Sequence, residues 1–217
     1  MNFDAFRFGM LQKILTIPAI LIAFTFHEYA HAYVADRLGD KTPKFQGRLT
    51  FNPMAHIDPL GFIMVILAGF GWAKPVQTNP LVYKNYYKDD LKVSIAGPLA
   101  NVLVAVVFSA ITAVLYKIAS GGAMASNILS IIIIICEITV ILNCSLAFFN
   151  MMPLPGLDGF HVLRDIFPAK INKIHYALGP YETVIFLLFI WLPGVSDFLV
   201  HTPARMLYTM LFRIFNI

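Results

Sequence analysis

The chain is a succession of long apolar stretches separated by polar segments rich in proline and glycine. Four of these stretches could each cross ~30 Å of hydrocarbon as a helix rising ~1.5 Å per residue. They lie at residues 14–35, 91–116, 128–152 and 181–200. Helices are expected there because the bilayer interior offers the backbone no outside hydrogen-bond partner. The pattern predicts an all-α multi-pass membrane protein with about four spanning helices.

The segment between the first two stretches, residues 37–90, is interrupted by prolines and glycines and is not predicted to be helical. A short apolar run within it, residues 60–72, suits a re-entrant or interfacial hairpin better than a full crossing, although its length alone leaves both possible. The alternating pieces at residues 45–51 and 74–82 predict β-ribbons. We therefore expect a re-entrant and β-ribbon segment beside the helices.

Composition agrees with a membrane protein, since 59% of residues are hydrophobic and 13% are charged, with a mean hydropathy of +0.73. The net charge of +4 does not indicate nucleic-acid binding, because no basic tract is interleaved with aromatic residues. The chain contains no internal repeat or low-complexity block that would divide it. A single membrane domain covering residues 1–217 is expected.

The distribution of basic residues predicts the orientation in the cell membrane. Residues 37–92 contain eight Lys or Arg, whereas residues 118–127 contain no charged residue. Cytosolic loops carry an excess of Lys and Arg, so the first segment is predicted to be cytosolic and the second external. Alternation then places residues 153–180 in the cytosol and the N-terminus outside.

The sequence His27-Glu28-Tyr29-Ala30-His31 is an H-E-x-x-H motif at the end of the first apolar stretch. Four-residue spacing puts both imidazoles on one helix face, where they can bind a single Zn²⁺, with Glu28 beside them as a potential general base. Ionisable groups inside a membrane are costly and usually functional. The alternative is that the two histidines cap a helix end and hydrogen-bond to loop carbonyls.

A catalytic zinc needs a third protein ligand and an open position for water. The extended soluble form H-E-x-x-H-x-x-G-x-x-H is excluded, because Val34 and Arg37 replace its glycine and third histidine. Glu137 and Glu182 could supply a distant glutamate, but both lie in predicted apolar helices. The remaining candidate for the third ligand is an acidic residue outside the predicted helices.

That residue is Asp158, which follows an apolar helix ended by two prolines and a glycine. The chain is expected to unwind there at the membrane edge and to direct the carboxylate inward; the alternative is a capped turn. His56 and His161 remain possible additional ligands. The Ala96-Gly97-Pro98 segment and Asn101 are expected to serve helix packing, because small residues allow close approach and an asparagine can hydrogen-bond across the interface.

Three motifs occur together in the order seen in site-2 proteases: H-E-x-x-H at 27–31, Ala96-Gly97-Pro98-x-x-Asn101, and the segment from Asn150 to Gly159. The pieces His56-Ile-Asp58-Pro59 and Gly71 to Val76 resemble the small prokaryotic branch of that family, and no segment is long enough for a PDZ domain. The resemblance implies that His27, His31 and Asp158 bind zinc. It also implies that Glu28 is the general base and that Asn150 orients the substrate or polarises its carbonyl.

The function implied by the resemblance is intramembrane zinc-dependent endopeptidase activity. The expected partners are a transmembrane or membrane-associated protein substrate and the lipid bilayer, with no nucleic acid. The active site is expected toward the cytosolic side. The alternatives are a non-catalytic membrane metal carrier, or a scaffold that binds partner helices. Neither alternative explains why a potential base stands beside the paired histidines.

Overall fold

The computed structural model describes residues 3–68, 71–121, 127–192 and 194–217, and these residues are predominantly helical with no β-strand. Nine α-helices occur among the described residues. They are α1 (Phe3–Arg37), α2 (Thr42–Phe45), α3 (Pro59–Ala68), α4 (Tyr86–Ser120), α5 (Asn127–Asn150), α6 (Asp158–Ile166), α7 (Pro168–Leu178), α8 (Glu182–Trp191) and α9 (Thr202–Ile214). The all-helical architecture expected from the apolar pattern is confirmed.

Three helices form the centre of the fold and are long and apolar enough to cross a membrane: Lys13–Arg37 within α1, together with α4 and α5. Each packs against the other two, and α9 covers α5 and part of α4. A buried cluster joins α4, α5 and α9 through small and aliphatic side chains, namely Ala105, Val140, Cys144, Ala204 and Leu211. Three of the four predicted spanning helices therefore have counterparts in the structure.

The fourth predicted spanning helix, residues 181–200, is wrong as a single element. Helix α8 ends at Trp191 and Leu192 is extended, with a ψ of 115°. Helical geometry is disfavoured for a residue that precedes a proline, and Leu192 precedes Pro193 in the sequence. Pro193 itself lies outside the described residues. Gly194 then has a φ of +85°. A short π-helical turn, Asp197–His201, leads into α9.

The predicted β-ribbons are also wrong. Over residues 45–51, α2 ends at Phe45 and a turn follows in which Gly47 has a φ of +68°. Residues 74–79 carry no helical or strand assignment, and in the described part of the chain one isolated antiparallel bridge joins Ile57 to Ala73. The prolines within residues 74–82 explain part of the missing strand pairing there, because a proline has no N–H to donate to a strand ladder.

Residues 60–72, for which a hairpin was expected, contain the short helix α3 and a return segment. The Asp58 carboxylate accepts a hydrogen bond from the Gly61 N–H at 2.8 Å and caps the helix start. Gly71 returns beside Gly61 so closely that a Cβ at Gly61 would overlap the Trp72 backbone and a Cβ at Gly71 would overlap the Gly61 backbone. Residues 69 and 70 lie outside the described residues. The two ends of the segment therefore lie side by side, as a hairpin requires.

Candidate metal centre

Helix α1 and the start of α6 bring three ligand atoms together. His27 and His31 lie one turn apart on α1, with their Nε2 atoms 3.0 Å from each other. Asp158, the first residue of α6, places Oδ2 3.2 Å from His27 Nε2 and Oδ1 3.3 Å from His31 Nε2. Zinc bonds of about 2.0–2.1 Å at tetrahedral angles separate neighbouring ligand atoms by about 3.3 Å. The observed separations fit a single zinc ion.

The hydrogen bonds of the two imidazoles fix which nitrogen faces the ligand cluster. His27 Nδ1 lies 2.6 Å from Asn101 Oδ1 and His31 Nδ1 lies 2.7 Å from the Val93 carbonyl. Both partners are oxygen acceptors, so each Nδ1 carries the proton and each Nε2 presents a lone pair. Two lone pairs facing a carboxylate repel each other unless a cation lies between them. The donor set therefore suits a metal.

The Asp158 carboxylate completes this set. Its Oδ2 is buried and has no hydrogen-bond donor among the described residues. Burial would raise the pKa of the Asp158 carboxyl, and positive charge at His31 and His27 lowers that pKa by more; with both Nε2 atoms unprotonated, a bound cation would supply that charge. The carboxyl is thus in the ionised form that binds metals. Its N-terminal position on α6 favours the same form, because helix N-termini stabilise negative charge.

Asn101 has a role that sequence reasoning did not find. It is fully buried on α4, accepts from His27, and donates to Asn143 Oδ1 on α5 at 2.8 Å. Asn143 in turn donates to the Thr139 carbonyl at 2.8 Å. The expectation that Asn101 bonds across a helix interface is correct, and Asn101 also holds His27 in the tautomer whose Nε2 lone pair could bind a metal.

Gly97 lies one turn before Asn101 on the same face of α4, directly against the imidazoles. A Cβ at this position would overlap both His27 and His31. The absence of a side chain lets α4 approach α1 closely enough for the Asn101–His27 bond. The i, i+4 spacing of a glycine and an asparagine was the sequence signal for this arrangement.

Glu28 and Asn150 lie where two cavities meet. Glu28 is 7% exposed, and its Oε2 accepts a hydrogen bond from the Val76 N–H at 2.8 Å. Asn150, at the end of α5, donates one amide hydrogen to the Leu146 carbonyl at 3.1 Å. Both residues, and His27, line a cavity of about 440 Å³ and a second of about 330 Å³. A group held between the cavities would thus be within reach of the Glu28 carboxylate and the Asn150 amide.

The two cavities differ in character. The larger is walled mainly by aromatic and aliphatic side chains, among them Phe24, Trp72, Phe149 and Phe186. The smaller contains the ligands and several further polar groups, including His161, Arg164 and Asp90. The candidate centre is therefore reached from an apolar side and from a polar side.

The charged groups beyond the ligands form a small network around Arg164. Its guanidinium contacts Asp90 at 2.5 Å and Asp165 at 3.4 Å. Burial, with a further contribution from Asp90, raises the pKa of Asp165 to about 6 even though Arg164 opposes the shift. Burial and the Arg164 cation lower the pKa of His161. This network forms the polar wall of the smaller cavity.

The other candidate ligands do not join the cluster. Among the described residues, the group of side chains that could hold a metal ion consists of His27, His31 and Asp158. His161 lines the polar cavity outside that group. His56 is fully buried in the loop before α3, where its Nε2 lies 2.7 Å from the Thr50 carbonyl.

Comparison with known proteins gives a consistent result. Residues 15–190 match the model of Peptidase family M50. The chain is 37% identical over 172 residues to a Bacillus subtilis protein named "Putative zinc metalloprotease YwhC", a match covering 79% of this chain and 78% of that relative. Rip2 of Mycolicibacterium smegmatis is 29% identical (89% of this chain, 79% of the relative) and MJ0611 of Methanocaldococcus jannaschii is 31% identical (73% of each). Both have names of the same form. No solved structure matches the chain.

Proposed function

The chain belongs to Peptidase family M50 and is a membrane zinc metalloendopeptidase, and we propose that it hydrolyses peptide bonds of transmembrane or membrane-associated proteins. In this proposal His27, His31 and Asp158 hold the zinc, Glu28 is the general base and Asn150 positions the substrate. The observation that carries the assignment is the convergence of three ligand atoms within 4.8 Å of one another. The base assignment of Glu28 rests on its position between the two histidines of the same H-E-x-x-H motif.

Each residue has a defined task in the proposed reaction. Bound zinc supplies Lewis-acid activation of water and of the scissile carbonyl. Glu28 takes a proton from the attacking water and delivers it to the departing amide nitrogen as the C–N bond breaks. Asn150 retains one amide hydrogen beyond its bond to Leu146, and this hydrogen can be donated to the scissile carbonyl oxygen.

The two cavities suit the two reactants. An apolar substrate segment fits the larger cavity, whose aromatic walls match a hydrophobic chain leaving lipid. Water fits the smaller cavity, whose polar groups offer it hydrogen bonds. Glu28 lies in the lining of both, as a base acting between water and peptide must.

The proposed topology is a single multi-pass domain with its active site toward the cytosol. The site is built at the C-terminal end of the α1 span, the N-terminal part of α4 and the chain after α5. These three points adjoin the segments rich in Lys and Arg, whereas the α4–α5 connection at the far ends carries no charge. The positive-inside rule then orients the site inward.

The test uses the purified full chain in liposomes with a synthetic transmembrane peptide. Wild-type protein should release fragments, a zinc chelator should stop the cleavage, and added Zn²⁺ should restore it. The Glu28→Gln variant should keep its zinc and lose cleavage. Cleavage by that variant at the wild-type rate would refute the base assignment. Zinc flux into the liposomes without peptide cleavage would favour a carrier instead.

A further inference from the structure

Arg48 is a buried cation with an unusual set of partners. Arg48 is 3% exposed. Among the described residues, no carboxylate lies within ion-pair distance of its guanidinium. Its guanidinium donates instead to three backbone carbonyls: those of Ala55, Lys74 and Pro75. A buried unpaired charge is costly, so charge-assisted hydrogen bonds must offset it. That cost calls for a reason in the fold or in the chemistry.

These bonds join two segments into one frame. Ala55 belongs to the turn before α3, while Lys74 and Pro75 belong to the segment that returns after it. The Lys74 N–H also donates to the His56 carbonyl at 2.9 Å. Arg48 lies across both segments and its planar fork holds them in one register.

The Pro75 carbonyl gives this frame a direct link to the catalytic base. Arg48 Nη2 donates to the Pro75 oxygen at 2.6 Å, and the Val76 N–H donates to Glu28 Oε2 at 2.8 Å. That carbonyl and that N–H belong to the same peptide unit, which is trans. A trans peptide is planar and rigid, and its C=O and N–H point in opposite directions. The guanidinium on one side therefore fixes the direction of the donor on the other.

We propose that Arg48 is a positioning residue for the peptidase reaction: through the Pro75–Val76 peptide it directs the Val76 N–H at Glu28 and so holds the carboxylate at the junction of the two cavities. The inference rests on the proposed role of Glu28 as general base. Arg48 lines neither of the two cavities, so its effect on the reaction would be indirect. Hydrogen bonds in such a chain also polarise one another, which strengthens the final bond to the carboxylate.

The test compares three variants of the full chain in liposomes. Arg48→Met removes the donors, Arg48→Lys keeps the charge but cannot bind three carbonyls, and Val76→Pro removes the N–H while leaving Arg48 in place. Displacement of a catalytic group by about 1 Å can lower kcat by up to about 100-fold. We expect kcat to fall at least about tenfold in Arg48→Met and Val76→Pro, and less in Arg48→Lys, with KM and zinc content unchanged.

The matched control is Gln77→Ala, which breaks the exposed bond between Gln46 and Gln77 on the same segment, 3.0 Å long, without touching Glu28. It should leave kcat unchanged. Because Arg48 and Val76 act through one peptide, adding Arg48→Met to Val76→Pro should lower kcat no further. Additive losses in the double variant, or wild-type kcat in both single variants, would overturn the inference.

Failure of the inference and failure of the proposed function give different results. If Glu28→Gln is inactive but the Arg48 and Val76 variants are fully active, the positioning role alone is wrong. If Glu28→Gln cleaves normally, the base assignment is wrong and the positioning role falls with it. If Arg48→Met does not fold, Val76→Pro and Arg48→Lys still decide the question.

Discussion

The bond between Asn101 and His27 gives the sharpest test of the metal centre. Replacing Asn101 by leucine removes the acceptor of the His27 Nδ1 proton, which is 2.6 Å away. The ring can then rotate or exchange tautomers, and it no longer presents Nε2 reliably. Loss of such a partner typically weakens metal binding by about 10–100-fold, which corresponds to about 1.4–2.8 kcal/mol.

The same substitution has a separate cost in stability. Asn143 Oδ1 loses its donor from Asn101 and stays buried. An unsatisfied buried acceptor costs about 1–3 kcal/mol. The Asn143→Leu variant is the matched comparison, because it also breaks the buried link between the asparagines, here on the Asn101 donor side, but leaves the Asn101 acceptor for His27. We expect Asn143→Leu to lower the melting temperature with a smaller loss of zinc affinity.

The assay is competition for zinc against a fluorescent chelator, using purified protein in detergent, with thermal unfolding measured on the same samples. Ser109→Ala is the control, since it removes another fully buried polar group from α4, whose hydroxyl donates to the Ala105 carbonyl at 2.8 Å. The control should bind zinc like the wild type. A folded Asn101→Leu variant with zinc affinity within about twofold of the wild type would refute the tautomer argument.

Three further predictions follow from the same geometry. Gly97→Ala should lower zinc occupancy and cleavage, because the new Cβ overlaps both imidazoles; metal analysis checks this, with Ala96→Gly on the same helix as the control. Asp158→Ala should release zinc measured by atomic absorption, whereas Glu28→Gln should retain it. Since the pKa of Asp165 is raised to about 6 in the fold, its ionised form destabilises the protein above that pH. Asp165→Asn should therefore raise the melting temperature at pH 8, and the gain should disappear as the pH falls below about 4; an equal gain at both pH values would contradict this.

Local spacing was sufficient to predict part of the site. His27 and His31 lie on one face because any α-helix places residues four apart together. Asp158 was a candidate because the chain was expected to unwind before it, but the same signals fit a capped turn, and its role as a zinc ligand was implied by the resemblance to site-2 proteases. Asn101 was assigned to packing, since a sequence does not show which face of α4 meets α1. That information lies in the tertiary contact at Gly97.

The failures have equally specific causes. Residues 181–200 are mostly apolar, and hydropathy does not register local backbone geometry such as the extended Leu192 or the positive φ of Gly194. Residues 74–82 alternate as a strand would, but the carbonyls of Lys74 and Pro75 are bound by the Arg48 side chain. A single long-range side chain thus replaced the pairing that the alternation predicts.

The distance along the chain between α1 and α6 constrains how the protease can mature. A chain emerging from the ribosome inserts its two imidazoles early, whereas the aspartate enters only after the two long helices α4 and α5 have been made. Until then the growing polypeptide holds two of the three proposed zinc ligands, next to the proposed base Glu28. With the proposed ligands, we therefore expect zinc capture to be a late step of biogenesis, and a product that ends before α6 would lack the third ligand.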